Sequence, residues 1–181
     1  MTTLYIVRHG ETEENLQQIL QGHMPGTLTA RGRAQVAEAG EQLAATGVRF
    51  SRIVASDLRR AMDSAQIIAE RLTLPAITPM TILRERDWGK FTGMPIAEAA
   101  ARFRIDGKWT FPDGTTETVE GIYERAGRAL DELQRLYAGE TIIVVTHGQF
   151  ARNLVAAFNH CSYHEVTPFA NAEVRTLTLG A

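Results

Sequence analysis

The segment Leu4-Tyr5-Ile6-Val7-Arg8-His9-Gly10-Glu11-Thr12 joins an apolar run to a polar turn that carries a histidine. The four apolar residues are continuous rather than alternating, as in a strand buried on both faces of a parallel sheet. Residues 141–148 repeat this arrangement, because a β-branched run there is followed by His147 and Gly148. Ligand sites of parallel sheets lie at the carboxyl ends of the strands. If the two strands are neighbours, both histidines meet at one edge of the sheet.

The remainder of the chain favours an α/β fold around these strands. Its 181 residues correspond to about one domain, and we expect a single domain over residues 1–181. The predicted architecture is a three-layer α/β/α sandwich, in which helices flank a mostly parallel central sheet. Strands are predicted at 4–7, 53–55, 76–80, 141–145 and 174–179. Helices are predicted at 30–46, 58–72, 95–104, 118–137 and 149–158, and turns at Asp106-Gly107 and Pro112-Asp113-Gly114.

Capping residues precede two of the predicted helices. Thr29 is a typical N-cap for the helix at 30–46, and Gly47 is a typical stop after it. Either Ser56 or Asp57 can cap the helix that follows the second strand.

Composition and charge exclude several classes of protein. The 19 Lys and Arg residues against 21 Asp and Glu residues do not favour nucleic-acid binding. A single cysteine, Cys161, cannot form an internal disulfide, and no apolar run approaches the roughly 18 residues of a membrane span. The first residues lack the features of a signal peptide. We therefore expect a cytoplasmic protein without nucleic-acid or membrane partners, and we leave homodimerisation open.

Arginines supply the second element of the predicted site. Arg8 precedes the first histidine, and Arg59 and Arg60 lie in the first turn of the helix after the second strand. The guanidinium group offers a planar fork of donors that matches phosphate oxygens, and a helix N-terminus adds backbone N–H groups. Adjacent helical residues point about 100° apart, so one of the two arginines is expected to face solvent.

Four motifs occur in order between residue 4 and about residue 155. They are Arg8-His9-Gly10-Glu11-Thr12 with Asn15, residues 56–61 with Ser64-Ala65, residues 83–93, and residues 145–148 with Arg152. Together they resemble the motifs of the histidine phosphatase superfamily, the phosphoglycerate mutase-like proteins. The chain departs from the family pattern at Pro25-Gly26-Thr27 and at Gln149, neither of which carries an assigned chemical role.

The resemblance implies a mechanism without a metal or other cofactor. It implies that His9 attacks phosphorus and becomes a phosphohistidine, and that Glu85 is the proton donor to the leaving oxygen. It also implies that the phosphoryl group is bound by Arg8, Arg60, Asn15 and His147, of which Arg60 rather than Arg59 directly precedes an alanine. Candidate substrate contacts are Thr12, Gln21, Gly22, His23 and Gly148.

The residues by themselves leave two carboxylates open. From the residues alone, a surface salt bridge of Glu85 with Arg84 or Arg86 is favoured over a catalytic role. Glu117 could contact substrate or serve as an acidic residue favoured at a helix N-terminus.

The leading functional hypothesis is a phosphatase that acts on a small phosphorylated metabolite. It rests on the ordered motifs and on the short segment between Glu85 and the strand at 141–145, because the resemblance implies that mutases of the family generally carry larger insertions there. An α-ribazole phosphatase-like specificity is a family-level hypothesis. A wall for a larger organic group could be formed by Arg102, Arg104, Lys108, Trp109 and Phe111, although these residues are also typical of an ordinary amphipathic surface.

Three alternatives remain open at this level. The first is a phosphoglycerate mutase, and the second is a non-catalytic module that binds a phosphorylated ligand. The third is a metal-dependent hydrolase that uses His9, Glu11 and His147, although flanking arginines would repel a cation.

Overall fold

A computed structural model describes residues 1–105, 108–111 and 114–180. The predicted turns at Asp106-Gly107 and Pro112-Asp113 lie outside the described residues. The strands are β1 Thr2–Arg8, β2 Arg52–Ala55, β3 Thr78–Pro79, β4 Arg104–Ile105, β5 Lys108–Trp109, β6 Thr141–Thr146 and β7 Val174–Leu179. The helices are α1 Glu13–Leu16, α2 Ala30–Ala45, α3 Arg59–Leu72, α4 Ile96–Phe103, α5 Val119–Leu136 and α6 Gly148–Phe158.

The central sheet has five strands in the order β3-β2-β6-β1-β7. All neighbouring pairs are parallel except β1 and β7, which are antiparallel. The register pairs Val7 with Val145 and Arg8 with Thr146. His9 and His147 therefore leave adjacent parallel strands at the same level, which confirms the predicted neighbourhood of the two strands.

Helices cover both faces of this sheet, as predicted for a three-layer sandwich. Ile6 and Val144 point towards α5 and α6, in a core that includes Leu133 and Phe150. The alternate strand residues Val7, Ile53, Ile143 and Val145 point to the other face and pack with α2 and α3. The apolar runs are continuous because successive side chains enter different cores. Full burial of each such side chain stabilises the fold by about 1.5–3 kcal/mol.

The structure corrects two local predictions. Helix α3 begins at Arg59, and its N-cap Leu58 has no side-chain capping bond. Asp57 does not cap the helix because its carboxylate binds the guanidinium of Arg84 at 2.7 and 2.5 Å. The strand expected at 76–80 is reduced to Thr78–Pro79, since proline lacks the N–H needed to continue a ladder.

A smaller cluster lies beside the sheet, near the carboxyl ends of its parallel strands. Its buried members are Leu20, Trp88, Phe91, Ala99 and Phe103, the last two from α4. Trp109 and Phe111 pack against this cluster. Within the described ranges, every helix is too short or too polar to cross a lipid bilayer.

Candidate active site

His9 lies at the end of β1 and is 2% exposed. Its Nδ1 donates a hydrogen bond to the carbonyl oxygen of Gly10 at 2.7 Å. A carbonyl oxygen can only accept, so the proton of the neutral ring is on Nδ1 and the lone pair is on Nε2. Nε2 in turn accepts a hydrogen bond from Nε of Arg60 at 3.2 Å.

The surroundings of His9 keep this ring neutral. Burial lowers the pKa of His9 well below its usual 6.5, and the positive charges of Arg60 and Arg8 lower it further. A nucleophilic lone pair is therefore present on Nε2 at neutral pH and in mild acid.

Arg60 is the arginine of the pair that faces the site. It is 1% exposed, and its terminal nitrogens donate to the carbonyl oxygen of Gly22 at 2.8 Å and to that of Met24. Burial lowers its pKa to about 10, so the guanidinium stays charged at neutral pH. Arg59 is exposed and pairs with Asp63 at 3.6 Å, as expected for the solvent-facing neighbour.

Arg8 brings a second guanidinium to the same edge of the sheet. One terminal nitrogen donates to the carbonyl oxygen of Phe169 at 2.7 Å. Its Nε is buried and has no hydrogen-bond partner in the part of the chain that the structure describes. Gly148 leaves room for this group, because a Cβ at that position would lie 3.1 Å from Nε.

His147 follows β6, and its ring centroid lies 5.2 Å from that of His9. Its Nε2 is 2.8 Å from the hydroxyl oxygen of Ser56, whereas its buried Nδ1 has no partner among the described residues. Burial lowers the pKa of His147 well below 6.5, with a further contribution from the charge of Arg60. The ring is therefore neutral and can carry only one N–H.

Asn15 offers an amide to the site. Its Oδ1 accepts hydrogen bonds from the backbone N–H of Thr12 at 3.1 Å and from the side chain of Asn171 at 3.3 Å. These bonds assign Oδ1 away from the cavity and leave the amide nitrogen without a partner among residues 1–105, 108–111 and 114–180. Thr12 itself is fully buried and caps α1, so it shapes the loop instead of lining the cavity.

Glu85 lies against the N-terminus of α6. Its carboxylate accepts backbone N–H bonds from Arg86 at 2.9 Å, from Gln149 at 3.1 Å and from Phe150 at 3.1 Å. The N-cap His147 makes no side-chain capping bond, so Glu85 satisfies these donors from a distant part of the chain. The alternative of a surface salt bridge is wrong, because Arg84 pairs with Asp57 and Nε of Arg86 binds the carbonyl oxygen of Glu117.

Partly buried polar contacts position the backbone on either side of Glu85. Arg125 donates to the carbonyl oxygens of Ile82 and Arg84 at 2.8 and 2.7 Å and pairs with Glu117 at 2.7 Å. His23 donates from Nε2 to the carbonyl oxygen of Glu85 at 3.0 Å. Neither His23 nor Glu117 lines the catalytic cavity, so a substrate contact at either residue stays a prediction. In the structure both residues support the segment that carries Glu85.

These groups surround a cavity of about 240 Å³. Its polar wall includes Arg8, His9, Asn15, Gln21, Gly22, Glu85, Gly148, Gln149 and Arg152. Its apolar wall consists of Ile19, Leu20, Trp88, Ile96, Pro168 and Phe169. Arg60 and His147 are buried and do not line the cavity, but both adjoin His9, Arg60 through its hydrogen bond to Nε2 and His147 with its ring centroid 5.2 Å away. The cavity therefore joins a strongly positive end to a largely apolar chamber.

The wall predicted for a larger organic group is not part of this cavity. Trp109 and Phe111 pack against Trp88, with ring centroids 5.7 and 5.5 Å away, and line a separate cavity of about 410 Å³. Arg102 pairs with Glu98 on α4. Arg104 lies over the ring of Trp109, and the Lys108 side chain is outside the described residues.

Two residues that complete the site were given no role by the sequence analysis. Ser64 accepts a hydrogen bond from the N–H of Gly10 and donates to the carbonyl oxygen of Arg60. Asn171 contacts the carbonyl oxygen of His9 as well as Asn15. The motif at 56–65 contained Ser64, but the loop before β7 carries no local signal, since its contacts involve backbone carbonyls far away in the chain.

The three residues of the metal-binding alternative, His9, Glu11 and His147, do not form a group that could hold an ion in the described part of the chain. The carboxylate of Glu11 accepts from the hydroxyl of Thr29 at 2.9 Å and lies 3.6 Å from Arg31. Among the described residues, no group of three or more His, Cys, Asp or Glu side chains is placed to hold an ion. The site presents cationic and N–H donors, a set that suits an anion.

Comparisons with known proteins agree with this geometry. The chain is 37% identical over 148 residues to the uncharacterized phosphatase PhoE of Bacillus subtilis, a match that covers 82% of this chain and 72% of the relative. It is 32% identical over 164 residues to a 2,3-bisphosphoglycerate-dependent phosphoglycerate mutase of Methylobacterium, covering 84% and 78%.

The solved structure of the mycobacterial glucosyl-3-phosphoglycerate phosphatase Rv2419c with VO3 is similar over 97% of this chain and 92% of that one. The TM-score is 0.84 at 28% sequence identity. The family model for the histidine phosphatase superfamily (branch 1) matches residues 4–181. The match spans nearly the whole chain and agrees with the site that the fold assembles, so this protein belongs to the histidine phosphatase superfamily.

Proposed function

We propose that the protein is a metal-independent phosphatase that hydrolyses small phosphomonoesters through a phosphohistidine on His9. One observation carries the proposal. A buried, neutral His9 presents a lone pair beside two unpartnered donor groups, Nε of Arg8 and Nδ1 of His147. Buried polar atoms without partners are uncommon, and an incoming phosphoryl group would satisfy both of them.

The first step transfers the phosphoryl group to the enzyme. Nε2 of His9 attacks phosphorus, the bond between phosphorus and the alcohol oxygen breaks, and that oxygen takes a proton from the carboxyl group of Glu85. Arg60 releases Nε2 of His9, because phosphoryl oxygens are stronger acceptors for a guanidinium than an imidazole nitrogen is. Arg8, Arg60, Asn15 and His147 then hold the equatorial oxygens, where charge is concentrated.

The second step returns the enzyme to its starting state. Water attacks the phosphohistidine, the carboxylate of Glu85 accepts a proton from that water, and the bond between phosphorus and nitrogen breaks. Inorganic phosphate leaves and His9 regains its lone pair. Glu85 lines the same cavity as His9 and its carboxylate is held against α6, and this position supports both proton transfers.

Hydrolysis is favoured over isomerisation by the phosphatases among the similar proteins and by the short segment between Glu85 and β6. A mutase must retain its phosphoenzyme until a second hydroxyl reacts, so it has to protect that intermediate from water. The mutase among the similar proteins makes isomerisation the competing outcome.

The test is a panel of phosphate esters, which includes p-nitrophenyl phosphate, phosphoserine, 3-phosphoglycerate and α-ribazole 5′-phosphate. Release of inorganic phosphate is measured for the wild type and for His9→Ala, with a strong chelator present in a parallel series. We expect chelator-resistant release that His9→Ala abolishes. Release that survives this substitution would refute the proposal, and isomerised phosphoglycerate without net release would establish a mutase.

α-Ribazole 5′-phosphate has a distinct place in this panel. A preference of the enzyme for this ester depends on the wall predicted for a larger organic group, whose residues Trp109 and Phe111 line a separate cavity. We therefore expect it to be turned over no faster than the smaller esters.

A further inference from the structure

We propose that Ser56 is a positioning residue that fixes the tautomer of His147, so that Nδ1 carries the ring proton and donates it to the phosphoryl group. The inference rests on the proposed function, which requires a donor at that point. It concerns a residue that belongs to the motif at 56–61 and is predicted from the sequence as a helix cap, without any role in the chemistry.

The fold brings the two residues together from neighbouring strands. Ser56 follows β2, which is parallel to β6, and the N–H of Ser56 binds the carbonyl oxygen of Val145 at 2.9 Å. Both Ser56 and His147 are fully buried. Their side chains meet at 2.8 Å, between the hydroxyl oxygen and Nε2.

The remaining contacts of Ser56 determine the direction of this hydrogen bond. Its hydroxyl oxygen accepts the N–H of Leu58 at 3.3 Å. In the part of the chain that the structure describes, Nε2 of His147 is the only acceptor within reach of the hydroxyl hydrogen. If Nε2 carried the ring proton instead, both the buried hydroxyl hydrogen and the Nδ1 lone pair would lack a partner among the described residues, whereas the opposite tautomer leaves only the Nδ1–H group unpaired.

Donation from Ser56 to Nε2 leaves the proton of the neutral imidazole on Nδ1. This nitrogen is the one that has no partner among the described residues. An N–H there can bind a phosphoryl oxygen, whereas a lone pair there would repel it. Ser56 thus selects one of the two neutral tautomers of His147, the one in which Nδ1 is a hydrogen-bond donor.

The comparison with His9 gives this assignment its chemical meaning. In His9 the carbonyl oxygen of Gly10 holds the Nδ1 proton, and the lone pair lies on Nε2, where it accepts from Arg60 until a phosphoryl group takes over that donor. In His147 the hydroxyl of Ser56 occupies Nε2, and the Nδ1 proton is available for donation. Both rings have the same tautomer, yet one presents a nucleophile and the other presents a donor.

The direct test is NMR spectroscopy of the protein labelled with ¹⁵N in its histidines, without any ligand, at pH 7. The signals of His147 are identified by their absence in His147→Ala. We expect a protonated Nδ1 and an unprotonated Nε2 in the wild type, and a shift towards the other tautomer in Ser56→Ala. A protonated Nε2 in the wild type would overturn the inference, whether or not the protein hydrolyses any ester.

A kinetic cycle tests the functional consequence with p-nitrophenyl phosphate. Loss of one oxyanion donor typically reduces kcat by about 10²–10³-fold, and we expect at least a tenfold loss of kcat/KM for Ser56→Ala. The same substitution should have no effect in the His147→Ala background, because Ser56 acts through that ring. An equal loss in both backgrounds would contradict the inference. Ser51→Ala, a change at an exposed serine that precedes β2, is the matched control and should retain wild-type activity.

Discussion

The two buried histidines should make the protein unstable in mild acid. The pKa values of His9 and His147 are both lowered well below 6.5, mainly by burial and then by the charge of Arg60. In the unfolded chain both rings take up protons as the pH falls through about 6.5, whereas in the folded protein they remain neutral. The unfolded state then binds more protons than the folded state, so the free energy of unfolding decreases as the pH falls.

The magnitude follows from proton counting. Below pH 6.5, and above the lowered pKa values, each histidine reduces the free energy of unfolding by about 1.4 kcal/mol per pH unit. Both together give a slope of about 2.7 kcal/mol per pH unit. The paired carboxyl groups of Asp57 and Glu173 also have lowered pKa values, but their contribution is lost only at lower pH, because their usual values are 3.8 and 4.5.

Urea unfolding at several pH values between 7.5 and 5 measures this slope. We expect His9→Asn and His147→Asn each to remove about half of it and the double variant to remove nearly all. His164→Asn, at an exposed histidine, is the control and should leave the slope unchanged. A wild-type slope that the double variant retains would show that the rings are not held neutral by their surroundings.

Three further substitutions follow from the geometry of the site. In Gly148→Ala, the new Cβ would lie 3.1 Å from Nε of Arg8, so we expect an intact fold and a loss of kcat/KM of about tenfold or more, checked by kinetics alongside thermal unfolding. In Gly32→Ala, the Cβ would approach the carbonyl oxygen of Glu11 to 2.0 Å, which requires backbone movement and should cost at least about 1–3 kcal/mol of stability by urea titration. Glu85→Gln removes the proton donor, so hydrolysis of an alkyl phosphate should decrease far more than hydrolysis of p-nitrophenyl phosphate, because the nitrophenolate leaving group needs little protonation. Equal losses of activity on the two substrates would contradict the role assigned to Glu85.

The site combines groups of different origin around one nucleophile. Main-chain carbonyl oxygens orient His9 and Arg60, whereas a hydroxyl orients His147 and backbone N–H groups hold Glu85. Each contact partner lies on a strand, a helix or a loop tied to one. Such support is needed because a displacement of about 1 Å in a reacting group can reduce the rate about 10²-fold.

Local patterns were sufficient for the main elements of the fold. The continuous apolar runs at β1 and β6 predict buried parallel strands, and the structure pairs them directly. The 3–4 spacing of Ala61, Ala65 and Ile68 predicts the face of α3 that is buried. These features are readable because strand and helix periodicity place neighbouring residues on defined faces, independently of the remainder of the chain.

The sequence by itself therefore determined the layered fold, the meeting of two strand-ending histidines and, through its ordered motifs, the family. Only the tertiary structure decided how the site is completed. In the structure His23 contacts the backbone of Glu85, the Glu85 carboxylate binds the N-terminus of α6, Ser56 contacts His147, and Asn171 reaches the carbonyl oxygen of His9 from the loop before β7. The physical reason is that these contacts join residues far apart in the chain, and most of them end on backbone groups, which every residue possesses and which leave no pattern in the order of side chains.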